Sequence, residues 1–112
     1  MVDFTYYEKI AEGDKKFIIQ MIDTFLVDVP NMIEIINETH LQKDVAGLAK
    51  VIHKLKPAWG MAGLDVALLI AIETEIKGNA DLVVIEIKIK DIYPIAADAA
   101  KAMQEKRIEL LG

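Results

Sequence analysis

The sequence predicts an all-α fold, namely an antiparallel four-helix bundle with a short extra helix at its N-terminus. The chain has 112 residues, of which 54% are hydrophobic, and this suffices for one core in a single domain over residues 1–112. Apolar residues recur at intervals of three and four in successive segments, as they do on the buried faces of packed helices. Residues 81–92 alternate like a strand, but no other segment offers a second strand with which they could pair.

Residues 1–13 are expected to form a lead-in, followed by the helical bundle over residues 14–112. A short helix is predicted over Tyr6 to Ala11, with Phe4 and Tyr7 packed on the bundle. Asp14 can cap the long helix that follows. The apolar stripe of that helix includes Phe17, Met21, Phe25, Met32 and Ile36. It is widened by Ile18, Ile22 and Ile33, and Val29 joins it. Because Pro30 lacks a backbone donor and disfavours helix at the preceding residue, we expect a kink or a break and restart there.

The next helix is predicted to begin at Asp44 and to bury one seam. Spacings of three and four connect Val45, Leu48, Ile52, Leu55, Trp59 and Ala62, which is typical of a helix facing a bundle interior. At about 100° per residue, His53 lies on the opposite side from Leu55 and Trp59. A histidine packed in the core would share their face, so His53 is expected to be exposed. Gly63 is expected to end or bend the helix.

Two further helices complete the predicted bundle. The first is capped by Asp65 and runs to Lys77, with Gly78 as its C-terminal stop. The second covers residues 81–92, where alternation favours a strand. A helical stripe that continues beyond this stretch fits as well, and consists of Leu82, Ile85, Ile89, Ile92, Ala96, Ala99 and Met103. Because a lone strand would leave its backbone groups unpaired, helix is the preferred interpretation. Pro94 is expected to kink or split this helix before it continues to Leu111.

Composition excludes several classes of function. Cysteine and serine are both absent, which excludes disulfides, thiolate metal sites and a serine or cysteine nucleophile. No Gly-rich phosphate loop or HExxH motif occurs, so neither a cofactor nor an enzymatic activity is expected. The net charge of −5 argues against nucleic acid as a partner. The longest apolar run, from Val66 to Ile72, is too short to cross a membrane, and no signal sequence is evident, so a cytoplasmic location is expected.

The chain has two histidines, and only one of them points to chemistry. His40 stands at a polar helix end and is expected to be solvated. His53, in contrast, is an exposed imidazole that can accept a phosphoryl group near pH 7. Lys50 and Lys56, each about one turn away, can offset the phosphate charge. Small residues leave clearance for a partner at Ala49, Pro57, Ala58 and Gly60.

The stretch His53-Lys54-Leu55-Lys56, followed by Gly63-Leu64, resembles the His-x-Leu-Lys-…-Gly signature of histidine-containing phosphotransfer (HPt) domains. The resemblance extends over most of the chain. It includes Gly13-Asp14-x-x-Phe17, the helix that contains Pro30, the helix start at Asp44, and the Ile72-Glu73 pair before Gly78. Joint placement of these features in an all-helical chain of this length makes chance an unsatisfactory explanation.

Membership of that family would imply a four-helix bundle that carries one phosphorylatable histidine. Such domains shuttle phosphoryl groups between the aspartates of response-regulator receiver domains, in relays fed by hybrid sensor histidine kinases. They lack ATP-binding and kinase activity, and Mg²⁺ belongs to the receiver. The resemblance implies that His53 is phosphorylated, that Lys56 lies near the phosphate and that Gly63 shapes the helix end. Docking of the receiver is expected at Lys50, Lys54, Pro57 and Gly60, and the protein is expected to be a monomer.

Two positions depart from the family pattern. Pro57 stands where the family usually has glycine, and it deprives the His53 carbonyl of its usual helical donor. A local distortion is therefore predicted over residues 53–57. Trp59 is bulky in a stretch that is often rich in small residues, but its angular position predicts that it packs inward.

Two other hypotheses remain open at this point. An HPt-like bundle could act only as an adaptor, binding signalling partners without phosphorylation of His53. A metal- or haem-binding bundle would need inward-facing pairs such as Glu-x-x-His, which the sequence lacks.

Overall fold

The computed structural model covers all 112 residues and contains five α-helices without any strand. These are α1 (Thr5–Ala11), α2 (Lys15–Leu41), α3 (Val45–Met61), α4 (Ala67–Lys77) and α5 (Leu82–Leu111). Short turns connect successive helices from α2 to α5. Helix α2 packs against α3 and α5, α3 against α4, and α4 against α5, while α1 packs on α2. The all-α prediction, a four-helix bundle with a short N-terminal helix, is confirmed.

A single cluster of 22 buried residues forms the core. The seam predicted for α3 is confirmed from Leu48 to Ala62, and only Val45, in the first turn, is exposed. Residues 81–92, the stretch with strand-like alternation, belong to helix α5. The inward side of α5 consists of Ile85, Ile89, Ile92, Ala96, Ala99 and Met103. Helical packing therefore explains this stretch, as the absence of a partner strand indicated.

The buried face of α2 is narrower than the predicted stripe. Phe17, Met21 and Met32 were expected on it, but Phe17 is 41% exposed and the two methionines are only half-buried. The inward side consists of Ile18, Ile22, Phe25, Val29 and Ile36. All five belong to the predicted stripe, which is wider than the face that becomes buried, because periodicity alone does not determine how much of an apolar stripe the neighbouring helices cover. Phe17 instead lines a shallow groove beside Tyr7 and Met61, because α1 packs along this part of α2.

The prolines in the two longest helices do not break them. Helix α2 is continuous through Pro30, and α5 is continuous through Pro94, so neither helix restarts or splits, and the kink given as the alternative stays a prediction. Proline inside a helix costs about 3 kcal/mol, and packing on both sides of each proline offsets that cost. Val29 is buried beside the exposed Pro30, while Ile92 and Ala96 are buried around the exposed Pro94.

Three helices end in the same hydrogen-bonded turn, each with one residue at positive φ. For α3, Gly63 (φ +80°) donates its N–H to the Gly60 carbonyl and Leu64 donates to Trp59, which is the Schellman pattern. Lys43 and Asn79 occupy the equivalent positions after α2 and α4. Helix α4 does end at Lys77 as predicted, but Asn79, and not Gly78, adopts the left-handed conformation.

Aspartates stand at three helix starts, and their side chains act differently. Asp14 accepts from the backbone N–H of Lys16, and Asp44 accepts from that of Gly47, so both predicted caps are confirmed. Asp65 lies two positions before α4, where its carboxylate accepts from the Ala67 N–H at 2.9 Å. It therefore satisfies a first-turn donor, although the helix begins later than predicted.

The N-terminal lead-in packs on the bundle at the α3–α4 turn. The Asp3 N–H donates to the Ala62 carbonyl at 2.8 Å, and Tyr7 is buried while Phe4 packs against the core. A Cβ on Gly63 would lie 2.7 Å from the Asp3 carbonyl oxygen and 2.8 Å from its nitrogen. Glycine is therefore required at position 63 for two reasons, its positive φ and the close approach of the Asp3 backbone.

Replacing Gly63 tests this double constraint. We expect Gly63→Ala to lower the free energy of unfolding by more than about 2 kcal/mol, because a left-handed alanine costs about 1–2 kcal/mol before any clash. Gly13→Ala is the matched control, since Gly13 also has positive φ (+85°) but has nothing within 4 Å of its added Cβ. Urea unfolding, followed by the fluorescence of the buried Trp59, measures the free energy of unfolding of both variants. Equal losses in the two variants would contradict the role assigned to the Asp3 contact.

Candidate functional site

His53 projects from the outer side of α3. Its side chain is 74% exposed, whereas Ile52 and Leu55 on either side of it are fully buried. The seam on the far face of the helix therefore anchors α3 and leaves the imidazole accessible to a partner. Trp59 is buried, as predicted, and its indole N–H donates to the Asp65 carbonyl at 3.1 Å. It does not cover His53.

Glu73 of α4 brings a carboxylate to the imidazole. Its Oε2 lies 3.3 Å from His53 Nδ1, and its side chain is only 15% exposed. Glu73 follows the fully buried Ile72 and comes four residues after the buried Leu69, so it stands at the edge of the inward face of α4. Packing of α4 on α3 therefore aims this carboxylate at the histidine.

Lys56 binds the other oxygen of the same carboxylate. Its Nζ lies 2.6 Å from Glu73 Oε1, and its side chain is 28% exposed. The hydrogen bond from Lys56 holds the pKa of the Glu73 carboxyl below its ordinary value of 4.5, against the opposing effect of partial burial. Glu73 is consequently ionised near neutral pH and can only accept hydrogen bonds.

This ionisation determines the tautomer of His53. An ionised carboxylate beside Nδ1 requires that Nδ1 carry a proton, because only a donor can pair with it. In the neutral imidazole the lone pair then resides on Nε2, across the ring from Glu73. The side chain is 74% exposed, so in this tautomer the nitrogen with the lone pair belongs to an accessible ring, which is what a nucleophilic imidazole requires.

The remaining predicted residues lie on the same exposed side of α3. Lys50 and Lys54 line a shallow, open hollow together with Ala49 and His53. Pro57 and Gly60 are both exposed, and a Cβ on Gly60 would meet only Val66 Cγ1, at an ordinary 3.5 Å. The structure therefore brings together the six residues predicted on α3, whereas Gly63 lies beyond the end of the helix.

Pro57 does not interrupt the helix that carries the site. Helix α3 is continuous from Val45 to Met61, so the distortion predicted over residues 53–57 does not extend to a break. Proline has no N–H, and the His53 carbonyl therefore lacks the donor that a regular helix would supply. The buried seam on the opposite face maintains the helix across this gap.

Glu73 is the site residue to which the sequence assigned no role. In the resemblance to HPt domains it is only the second residue of the Ile72-Glu73 pair, and it is 20 positions from His53 along the chain. The available signal was weak: Glu73 is the first charged residue after the apolar run that ends at Ile72. That Glu73 faces His53 is determined only by the packing of α4 against α3.

The second histidine differs from its prediction in part. His40 lies near the end of α2 and is half-buried, and its Nδ1 is buried without a hydrogen-bond partner. It is therefore not fully solvated, because the last turn of α2 packs on the bundle.

No group of three or more His, Cys, Asp or Glu side chains is arranged to hold a metal ion. No helix combines the length and the apolar character needed to cross a membrane.

The link from Glu73 to α3 should make a pH-dependent contribution to stability. Because folding lowers the pKa of Glu73, its contribution is present above pH 4.5 and is lost as the pH falls through the lower folded value. We expect Glu73→Gln to lose up to about 1 kcal/mol of unfolding free energy at pH 7, and less than half of that near pH 3. Urea unfolding at both pH values measures this, with Glu34→Gln as the exposed, unpaired control. A loss that does not depend on pH would contradict an ionic link.

Comparison of the chain with family models, with curated proteins and with solved structures finds no match. The short motif around His53 therefore stands without support from an overall similarity. Function has to be inferred from what the site can do chemically. The relevant facts are the exposure of His53, the carboxylate on its Nδ1 and the cations around it.

Proposed function

We propose that this protein is a phosphorelay carrier of the HPt type, which accepts a phosphoryl group on His53 Nε2 from a receiver-domain aspartyl phosphate. One observation carries the proposal. The imidazole is exposed, and Glu73 engages Nδ1 at 3.3 Å, which leaves the Nε2 lone pair on the side of the ring away from Glu73. The resemblance of the His53-Lys54-Leu55-Lys56 stretch to the HPt signature supports the same role.

In the proposed transfer, the Nε2 lone pair attacks the phosphorus of the aspartyl phosphate. A P–N bond forms, the bond from phosphorus to the aspartyl oxygen breaks, and its electron pair leaves with the carboxylate. The proton on Nδ1 stays in place, so the ring becomes a positively charged phosphoimidazolium. Glu73 stabilises that charge through a charge-assisted hydrogen bond.

Onward transfer reverses these events. The carboxylate of a second receiver attacks phosphorus, the P–N bond breaks, and its electron pair returns to Nε2. No proton has to leave or enter during either step, because the hydrogen bond to Glu73 keeps the proton on Nδ1 throughout. The protein acts as a stoichiometric carrier between receiver domains, without ATP or a cofactor of its own. A hybrid sensor histidine kinase supplies the phosphoryl groups that enter the relay.

The shape of the surface around His53 suits a protein partner. Ala49, Pro57 and Gly60 add little bulk near the ring, and Lys50 and Lys54 border it with positive charge. An aspartyl phosphate at the bottom of a partner's active site is reached only by a side chain that stands clear of its surroundings. The rigid helix fixes the direction from which the imidazole approaches, which lowers the entropic cost of the reaction.

Incubation with a phosphorylated receiver domain tests the proposal. We expect radiolabel to move onto this protein in an acid-labile, alkali-stable form, and His53→Gln to abolish the transfer. His40→Gln is the matched control, because it removes the only other histidine and should leave the label on His53. Label that persists in the His53→Gln variant would identify a different acceptor and overturn the assignment.

The adaptor alternative makes a different prediction in the same experiment. An adaptor would bind receivers with His53 unmodified, so binding would be detected while no label is transferred by any receiver that binds. A panel of receiver domains assayed for both binding and transfer therefore separates the two functions. The Lys56–Glu73–His53 arrangement favours transfer, because simple docking does not require a carboxylate on Nδ1.

Glu73 should affect the transfer rate without being the acceptor. In the Glu73→Gln variant, the neutral amide oxygen could still accept a hydrogen bond from Nδ1 but could not balance the ring charge. Since a charged acceptor contributes about 1 kcal/mol more than a neutral one, we expect this variant to slow transfer by about fivefold to tenfold. Glu75→Gln is the control on the same helix, because Glu75 pairs with Lys88 at 2.6 Å. Single-turnover transfer should remain unchanged in that variant, and equal slowing in both would contradict the role of Glu73.

A further inference from the structure

The three lysines near His53 are not equivalent. Lys56 is bound to Glu73 at 2.6 Å, so the pair together carries no net charge. Lys50 and Lys54 are exposed and take part in none of the ion pairs of the structure. They line the hollow that His53 borders. The uncompensated positive charge next to the ring therefore comes from Lys50 and Lys54.

The helix also separates these lysines in direction. At about 100° per residue, Lys56 lies about 60° from His53 on the side that faces α4 and Glu73. Lys50 and Lys54 lie about 60° and about 100° from His53 on the other side. Because Nδ1 is the ring nitrogen beside Glu73, Nε2 lies on the side of the ring away from Glu73 and from the Lys56 bound to it. His53 itself lines the hollow together with Lys50 and Lys54.

We infer that, in the phosphorylated protein, Lys50 and Lys54 neutralise the phosphoryl group on His53, whereas Lys56 acts as a positioning residue that holds Glu73 against Nδ1. This inference rests on the proposed phosphorylation of His53 and deepens it. It departs from the role that the family resemblance implies for Lys56. A phosphoryl group carries about −1.5 to −2 charges near pH 7, which two free ammonium groups can balance.

The roles follow from the charge that each lysine has to offer. Moving Lys56 to the phosphate would leave Glu73 with only the imidazole as a partner. Lys50 and Lys54 have no ion pair to give up, and their flexible side chains can reach a group in the hollow. Lys56 therefore contributes most by keeping Glu73 ionised and in place.

Phosphorus NMR of chemically phosphorylated protein tests the inference without any receiver domain. The His40→Gln background leaves His53 as the only histidine, and phosphoramidate is the phosphoryl donor. The pH midpoint of the phosphohistidine resonance reports the cations near the phosphate. We expect Lys50→Gln/Lys54→Gln to raise this midpoint by about half a pH unit, because removal of nearby positive charge stabilises the protonated phosphoryl group.

The matched control is Lys56→Gln/Glu73→Gln, which removes one positive and one negative charge. We expect it to leave the phosphoryl midpoint within about 0.1 pH unit of the background protein, and to change the nitrogen NMR signal of Nδ1 instead. A midpoint that rises as much in this variant would make Lys56 the phosphate's partner and overturn the inference. A midpoint that moves in neither variant would overturn it as well.

The two proposals fail in different ways. If phosphoramidate labels His53 and the lysine variants behave as expected, but no receiver transfers its phosphoryl group, the relay function is wrong and the charge assignment stands. If receivers transfer but the midpoint does not depend on Lys50 and Lys54, only the charge assignment is wrong. Failure of phosphoramidate to modify His53 would contradict an accessible Nε2 and overturn the inference directly.

Discussion

Burial of one face of α3 is the constraint on which the rest of the structure depends. The side chains from Leu48 to Trp59 on that face are completely buried between α2 and α4. Their burial holds the helix together across Pro57, where a backbone hydrogen bond is missing. It also forces His53 outward, since a residue on the opposite side of a buried helix face has to meet solvent. Exposure of the His53 imidazole is thus a consequence of core packing.

The packing of α4 against the same helix converts an exposed histidine into a site. Glu73 stands at the edge of the inward face of α4 and bridges His53 and Lys56. That bridge determines which imidazole nitrogen is free and separates Lys56 from the unpaired Lys50 and Lys54. Phosphoryl acceptance on Nε2 and neutralisation by the two free lysines are proposals that follow from this one carboxylate.

The α3–α4 turn shows how a short motif depends on a distant segment. Positive φ alone would favour glycine at position 63, but the backbone of Asp3 also occupies the space that a side chain would need. The N-terminal lead-in therefore fixes the position of the turn, and the turn orients α4 relative to α3. Gly63, ten positions after His53 in the chain, thereby contributes to the placement of Glu73.

The sequence by itself determined the helical class, the inward faces of α3 and α5, and the exposure of His53, because residues on one helix have a fixed angular relation. It did not determine which part of its wide apolar stripe α2 buries, or that α2 and α5 continue through Pro30 and Pro94. Those outcomes depend on packing energy from neighbouring helices, which exceeds the local cost of proline. Glu73 required the tertiary structure for the same reason. Its contact with His53 joins two helices, and only their mutual packing sets that register.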